Sequence, residues 1–314
     1  MPDPIVPDLI DRILPGGKVS LFCGATGVGK TALMAGFVRA IRDGVPFCGH
    51  QTASPPEIGI IVGDRAWSSH RQWFDLAGCE EILHYSLEDD DSFQWDRLTQ
   101  KMNGPLILIE AILKLDAIRG SLCPPGTLVV VDPIALYVGG DLLNYHQVAV
   151  ALGKIKRYCR KRGITLIGTA HMSKQRADVK DRYLRPQDRI LGTTALAGYS
   201  DTQMFLLAPE EVDDDYYLFG WVPHHAPPET FHLSRDQRGL FVPYASERDR
   251  LQSDRLLPLI SEEPVGTATT VIIEQAGEHL EISGRTTYRL LNALHQRGLI
   301  EAAGKGRWRR TTQQ

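Results

Sequence analysis

Eight consecutive residues, Gly24-Ala25-Thr26-Gly27-Val28-Gly29-Lys30-Thr31, satisfy G-x-x-x-x-G-K-[ST] at every defining position. Each residue type has a physical task. The glycines let the backbone curl until successive N–H groups aim at one anion. Lys30 brings a positive charge to the β- and γ-phosphates of a nucleotide, and the Thr31 hydroxyl is a ligand for Mg²⁺. A helix starting near Lys30 adds its positive N-terminal end. The chemistry implied is binding of ATP with Mg²⁺ along Gly24 to Thr31.

Turnover needs more than a cradle. A second acid must hold Mg²⁺ through its water shell. Asp132 closes the apolar run Leu128-Val129-Val130-Val131, so it is expected at the C-terminal end of a buried strand lying beside the P-loop strand. A base must orient the attacking water. Asp64, after Ile60-Ile61-Val62-Gly63, is the candidate; a plain acid closing a strand is the alternative. His171 follows the run Ile164 to Thr169 and precedes Ser173-Lys174. A polar side chain there is placed to sense the γ-phosphate or DNA. The candidate catalytic set is Lys30, Asp64, Asp132 and His171, and the metal pair is Thr31 and Asp132.

These residues need strands and helices to position them. Lys18 to Cys23 reads as a short buried strand and Ala32 to Val38 as a helix, so the Gly-rich loop falls between strand and helix as the motif requires. Ile58 to Val62, Ile82 to Tyr85, Thr127 to Asp132 and Ile164 to Thr169 read as further strands. Trp67 to Leu76 and Tyr145 to Lys161 read as helices, with a stop at Gly163. Leu106 to Ile118 is apolar nearly all round and is expected to be a buried helix. Continuous apolar strands separated by helices predict an α/β fold with a parallel sheet covered on both faces. Beyond Thr202 the strand-like runs follow one another without helices, which predicts an antiparallel extension.

The composition narrows the classes. A net charge of -3 excludes a strong bulk positive field. Five dispersed cysteines without a C-x-x-C pair suit reduced thiols and neither a zinc site nor a disulfide framework. The start carries no basic and apolar leader pattern, and the most apolar stretches hold Glu110 and Asp132. No membrane span and a cytoplasmic location are therefore expected. The expected domains are 1–245, a polar linker at 246–254, and 255–314.

The order of motifs resembles the RecA-like ATPases, in particular the branch of the plasmid-replication RepA hexameric helicases. The resemblance spans Pro15 to Leu240. It rests on Gly24 to Thr31, Val62-Gly63-Asp64-Arg65, Val129-Val130-Val131-Asp132-Pro133, Gly140-Asp141, Thr169-Ala170-His171-Met172-Ser173-Lys174, and Ile190 to Gly198. It implies a homo-oligomeric ring, with a hexamer as the family's form and nucleotide at subunit interfaces. It also implies a channel loop over 175–188 that meets single-stranded DNA, through Lys174, Arg176, Lys180 and Arg182. Two departures stand out. The catalytic position usually carries Glu, and here it is Asp64. The late strand usually carries a Lys or Arg for the neighbouring subunit's ATP, and here it reads Trp221-Val222-Pro223-His224-His225-Ala226. Arg235 or Arg238 is the candidate substitute, although neither lies on the matching position. A missing arginine finger, typically worth about 10³–10⁵ in rate, implies a slow ATPase.

The C-terminal run Ser283 to Ile300 resembles the recognition helix of a winged helix-turn-helix, with Ser283 as N-cap, Gly298 as stop, and Leu290, Leu291 and Leu294 as buried stripe. Lys305 to Arg310 would be the wing. Arg285, Arg289, Lys305, Arg307 and Arg309 are the expected contacts to duplex DNA. The whole reading is an oligomeric, DNA-associated ATPase of helicase or replication type. The alternative is an ATP-switched DNA-binding regulator or loader that does not translocate. A recombinase-like filament is a third arrangement.

Overall fold

The computed structural model describes residues 3–11, 13–48, 50–93, 104–138, 142–172, 190, 194–208, 216–223, 228–243, 247–296, 299–304 and 306–311. The side chains of 247–251, 285, 289, 292 and 296 lie outside that description. The chain divides into two compact units, one of 1–231 with 235–241 and one of 232–234 with 242–314.

The first unit begins with β1 (Val19–Gly24), the P-loop and α1 (Lys30–Asp43). Next come β2 (Ile58–Val62), α2 (Ser68–Leu76), β3 (Leu83–Ser86), α3 (Gly104–Arg119) and β4 (Leu128–Asp132). Then follow α4 (Tyr145–Arg162), β5 (Thr165–His171), α5 (Thr194–Tyr199), β6 (Thr202–Leu207) and β7 (Tyr217–Pro223). β8 (Glu229–Arg235) and β9 (Phe241–Pro243) close the sheet, whose order is β3-β2-β4-β5-β1-β6-β7-β8-β9. From β3 across to β6 the strands pair in parallel, and β6 pairs with β7 antiparallel. The expected α/β fold with an antiparallel extension is therefore present.

The order corrects one expectation. Asp132 does not lie on the neighbour of the P-loop strand. β5 runs between β4 and β1, with Val130 paired to Ile167 and Leu21 paired to Gly168. The central strands are buried on both faces, which is why they read as unbroken apolar runs.

Helix boundaries follow local chemistry. The Asn144 side chain accepts from the Gln147 N–H at 3.1 Å and starts α4, and left-handed Gly163 ends it. Val148, Leu152, Ile155 and Cys159 form its buried stripe. α3 differs from expectation. It is buried on one face only, with Leu106 52% and Leu113 46% exposed. All-round apolar character says nothing about how many neighbours a helix receives, and this one has the sheet on one side. Buried Asp116 of α3 pairs with Arg162 of α4 at 3.2 Å and accepts the Cys123 N–H at 2.7 Å.

The second unit holds α6 (Glu247–Leu256), α7 (Thr269–Leu280) and α8 (Gly284–Gln296). It also holds a small sheet of β10 (Thr267–Ala268), β12 (Arg307–Arg310) and β11 (Ile300–Ala302), in that order and antiparallel. Its core is Leu256, Ile260, Ile272, Ala276, Ile282, Leu290, Leu291, Leu294 and Ile300. The stretch expected to be a linker, 246–254, instead lies almost wholly in α6, whose last residue, Leu256, is buried in the unit's core. A polar run is thus compatible with a helix that anchors itself through one end. Ser283 Oγ accepts the Thr286 N–H at 3.3 Å, which makes it the cap of α8. Among the described residues no helix is long and apolar enough to cross a membrane. The five cysteines are unpaired, and all but Cys48 are buried.

Candidate nucleotide site

The loop between β1 and α1 has the backbone that its glycines permit. Gly27 has φ +81° and Gly29 φ +105°, both left-handed. Lys30 is the first residue of α1 and is buried, with Thr31 half-buried behind it. Lys30 Nζ donates to the carbonyls of Gly24 at 3.0 Å and Ala25 at 3.2 Å, so it lies across the loop that bears it. Burial draws the ammonium below its ordinary pKa, and the Asp132 charge opposes that shift. Beneath the loop, burial pushes the Cys23 thiol up to about 12, which leaves it an inert packing residue.

β5 brings His171 to this loop. Its Nδ1 is 3.4 Å from Lys30 Nζ and 3.4 Å from Thr26 Oγ1. Burial, then the Lys30 charge, hold its pKa below the ordinary imidazole value. The neutral ring can therefore accept from either group. Two residues earlier on the same strand face, Thr169 Oγ1 donates to Asp132 Oδ1. Asp132 Oδ2 lies 3.1 Å from Nε2 of His70, a buried side chain on α2. Burial pushes the Asp132 carboxyl up. The bonds from His70 and Thr169, with the Lys30 charge, outweigh that and hold it below the usual carboxylate range. His70 Nδ1 is buried without a hydrogen-bond partner. Asp64 stands exposed two residues past Val62, the register partner of Asp132. It is near enough for its charge to act on Lys30.

A side chain distant in sequence completes the surroundings. Arg235 Nη2 donates to the Val28 carbonyl at 3.1 Å and Nη1 to that of Gly239 at 3.4 Å. Its guanidinium lies 4.8 Å from the Phe241 ring centre and 5.3 Å from that of Tyr217. A Cβ on Gly29 would collide with the same guanidinium. Sequence reading missed His70, which sits in no motif, and weighed Arg235 only as a finger toward a neighbouring subunit's ATP. It missed Thr169 as a contact, although its spacing from His171 was a usable signal.

Residues 1–177 match the family model described as AAA domain, which is more than half of the chain. The chain belongs to the AAA-domain family. A solved structure, titled as the ATPase domain of another protein, matches with a TM-score of 0.51. It is 14% identical, and the match covers 72% of this chain and 84% of that one. No curated protein matches. Family and fold together support a RecA-like P-loop ATPase domain in the first unit. The residues present fit a nucleotide with Mg²⁺: a left-handed glycine cradle, a lysine, a threonine hydroxyl at the helix start, and a carboxylate kept ionised by two donors.

The expected DNA contacts fall differently. Lys174, Arg176, Lys180, Arg182 and Lys305 lie outside the described residues, as do Gly140-Asp141 and the side chains of Arg285 and Arg289. Arg307 is engaged within its own unit, donating to the carbonyls of Val265 and Gly266, each at 2.8 Å. Arg309 pairs with Glu301 at 2.6 Å, and Arg310 with Glu262 at 3.0 Å. Counting charges along the tail concealed these intramolecular partners.

Proposed function

We propose that the chain hydrolyses ATP as a ring-forming oligomer that acts on DNA. The observation that carries this reading is the bridge made by β5, whose Thr169 touches Asp132 while His171 touches Lys30 and Thr26. Phosphate-binding and metal-holding groups are thereby linked through one strand, which residues 173–189 follow closely in sequence. In this reading Gly24 to Thr31 wrap the phosphates and Lys30 neutralises their charge. Thr31 and Asp132 would hold Mg²⁺, which would supply further neutralisation of phosphate charge. Asp64 orients the attacking water. His171 reports the state of the γ-phosphate to the segment carrying Lys174, Arg176, Lys180 and Arg182, which contacts single-stranded DNA.

The helix α8 followed by the β11–β12 hairpin supports a winged-helix reading of the second unit, which would take duplex DNA through Arg285, Arg289 and Lys305. The motif run His171-Met172-Ser173-Lys174 with Gly192 to Ala197 supports a RepA-type relative.

One observation favours the second reading, an ATP-switched regulator or loader. Arg235 is committed to the P-loop of its own chain, so it does not serve a neighbour as arginine finger. Steady-state ATP hydrolysis with and without single- and double-stranded DNA, beside Lys30→Ala, separates the two. Turnover stimulated by single strands and abolished in the variant supports the motor. Nucleotide binding with negligible turnover replaces it with the switch.

A further inference from the structure

A second concave site lies at the other end of the sheet. A cavity of about 350 Å³ is lined by Gly17, Lys18, Val19, Gly153, Lys156, Arg157, Arg160 and Asp201. It opens at the N-terminal end of β1, whereas the P-loop leaves from the C-terminal end. Across the strand the two are roughly 17 Å apart at about 3.3 Å per residue. The cavity therefore shares no residue with the nucleotide site.

Its charge is positive and organised. Asp201 is its one acid, and both oxygens are occupied: Oδ2 accepts from Val19 N–H at 3.1 Å and lies 3.0 Å from Lys156 Nζ, while Oδ1 accepts from Lys156 at 3.1 Å. Lys156 is thus held by Asp201, and it also donates to the Tyr199 carbonyl at 2.9 Å. Arg160 is shared with Asp3 at 2.9 Å. Lys18 and Arg157 are exposed and have no ion-pair partner among the described residues. Gly153 sits in mid-helix on the rim, where glycine weakens a helix relative to alanine. No packing explains it, because a Cβ there would meet nothing within 4 Å. The glycine leaves the cavity open.

We infer that this cavity binds a phosphate group, held by Lys18 and Arg157, with the ion-paired Lys156 and Arg160 beside them. Four cations against two carboxylates, Asp201 on Lys156 and Asp3 on Arg160, leave Lys18 and Arg157 uncompensated on a concave surface, which suits an oxyanion. The phosphate is carried either by nucleic acid or by a small phosphorylated molecule.

The test follows the amide resonances of Gly17, Val19 and Gly153 in the full chain carrying Lys30→Ala, which removes the P-loop lysine from the competition. Inorganic phosphate should shift them saturably. Lys18→Glu with Arg157→Glu should weaken that binding at least tenfold, and Gly153→Leu should block it. Arg157→Lys should retain most of it. Thermal melts would confirm that each variant is folded. A short oligonucleotide then identifies the source. If it shifts the same amides more tightly than phosphate, with a salt dependence that shrinks in the double variant, the phosphate belongs to nucleic acid. If phosphate binds and the oligonucleotide does not, the ligand is a small phosphorylated molecule. Absence of a saturable shift, or an affinity unchanged in the double variant, overturns the site.

Discussion

Thr169 and His171 stand two residues apart on one face of β5, and that spacing lets a single strand touch both the acid of β4 and the lysine after β1. Strand alternation makes such a pair point the same way. The insertion of β5 between β4 and β1 is thus the arrangement that couples the two halves of the site.

His171→Gln tests the ring's protonation state. Its pKa is held below the ordinary 6.5 by burial and by Lys30. In the window between the lowered folded value and about 6.5 the unfolded chain binds more protons. Folded stability from this group is therefore full above about pH 6.5 and falls as pH drops through the window. Denaturant titrations at about pH 7.5 and about pH 5.5, on either side of the ordinary imidazole value, should show a smaller acid loss in His171→Gln than in the parent. An equal loss would mean that the ring titrates normally.

His70 should act on Mg²⁺ through Asp132. His70→Ala removes one donor from the carboxylate and leaves a void, costing about 1–3 kcal/mol of stability. The Mg²⁺ concentration needed for half-maximal ATP turnover should rise by about tenfold, the lower end of what loss of a group orienting a metal ligand costs. His70→Gln returns an N–H near the same place and should recover part of that shift. A Mg²⁺ requirement unmoved in both variants would reduce His70 to a packing residue.

Arg235 should hold the P-loop in its curled form. Arg235→Ala forfeits a charge-assisted hydrogen bond and the stacking on Phe241 and Tyr217, together about 2 kcal/mol. At that cost Tm should fall by about 4–8 °C. Arg235→Lys keeps the charge and loses the planar fork, so it should recover little. ATP affinity, followed with a fluorescent nucleotide, should weaken in both. Wild-type affinity in a folded Arg235→Ala protein would confine the residue to structure.

Arg307 serves the fold of its unit before any partner. Arg307→Ala frees two carbonyls, at Val265 and Gly266. The second unit's transition in calorimetry should drop by about 1–3 kcal/mol in stability. A stable variant with weakened duplex binding would instead make it a DNA contact.

The sequence by itself determined the parts whose chemistry is local. The P-loop is contiguous, so its glycines, lysine and threonine were readable in order. Asp132 was readable because an acid after four apolar residues ends a buried strand. The cap at Ser283 and the Leu290, Leu291 and Leu294 stripe were legible for the same reason: periodicity and capping act over a few residues. Strand order was not, since pairing in a parallel sheet is chosen by packing and not by neighbourhood along the chain. Only the tertiary structure set β5 between β4 and β1, joining Lys30 to His171 across 141 residues. It alone brought His70 to Asp132 across 62 residues and Arg235 to Val28 across 207. It also decided that α3 keeps one apolar face in solvent and that Arg309 meets Glu301. Such contacts form where two surfaces are pressed together by the burial of the core, and no local pattern encodes them.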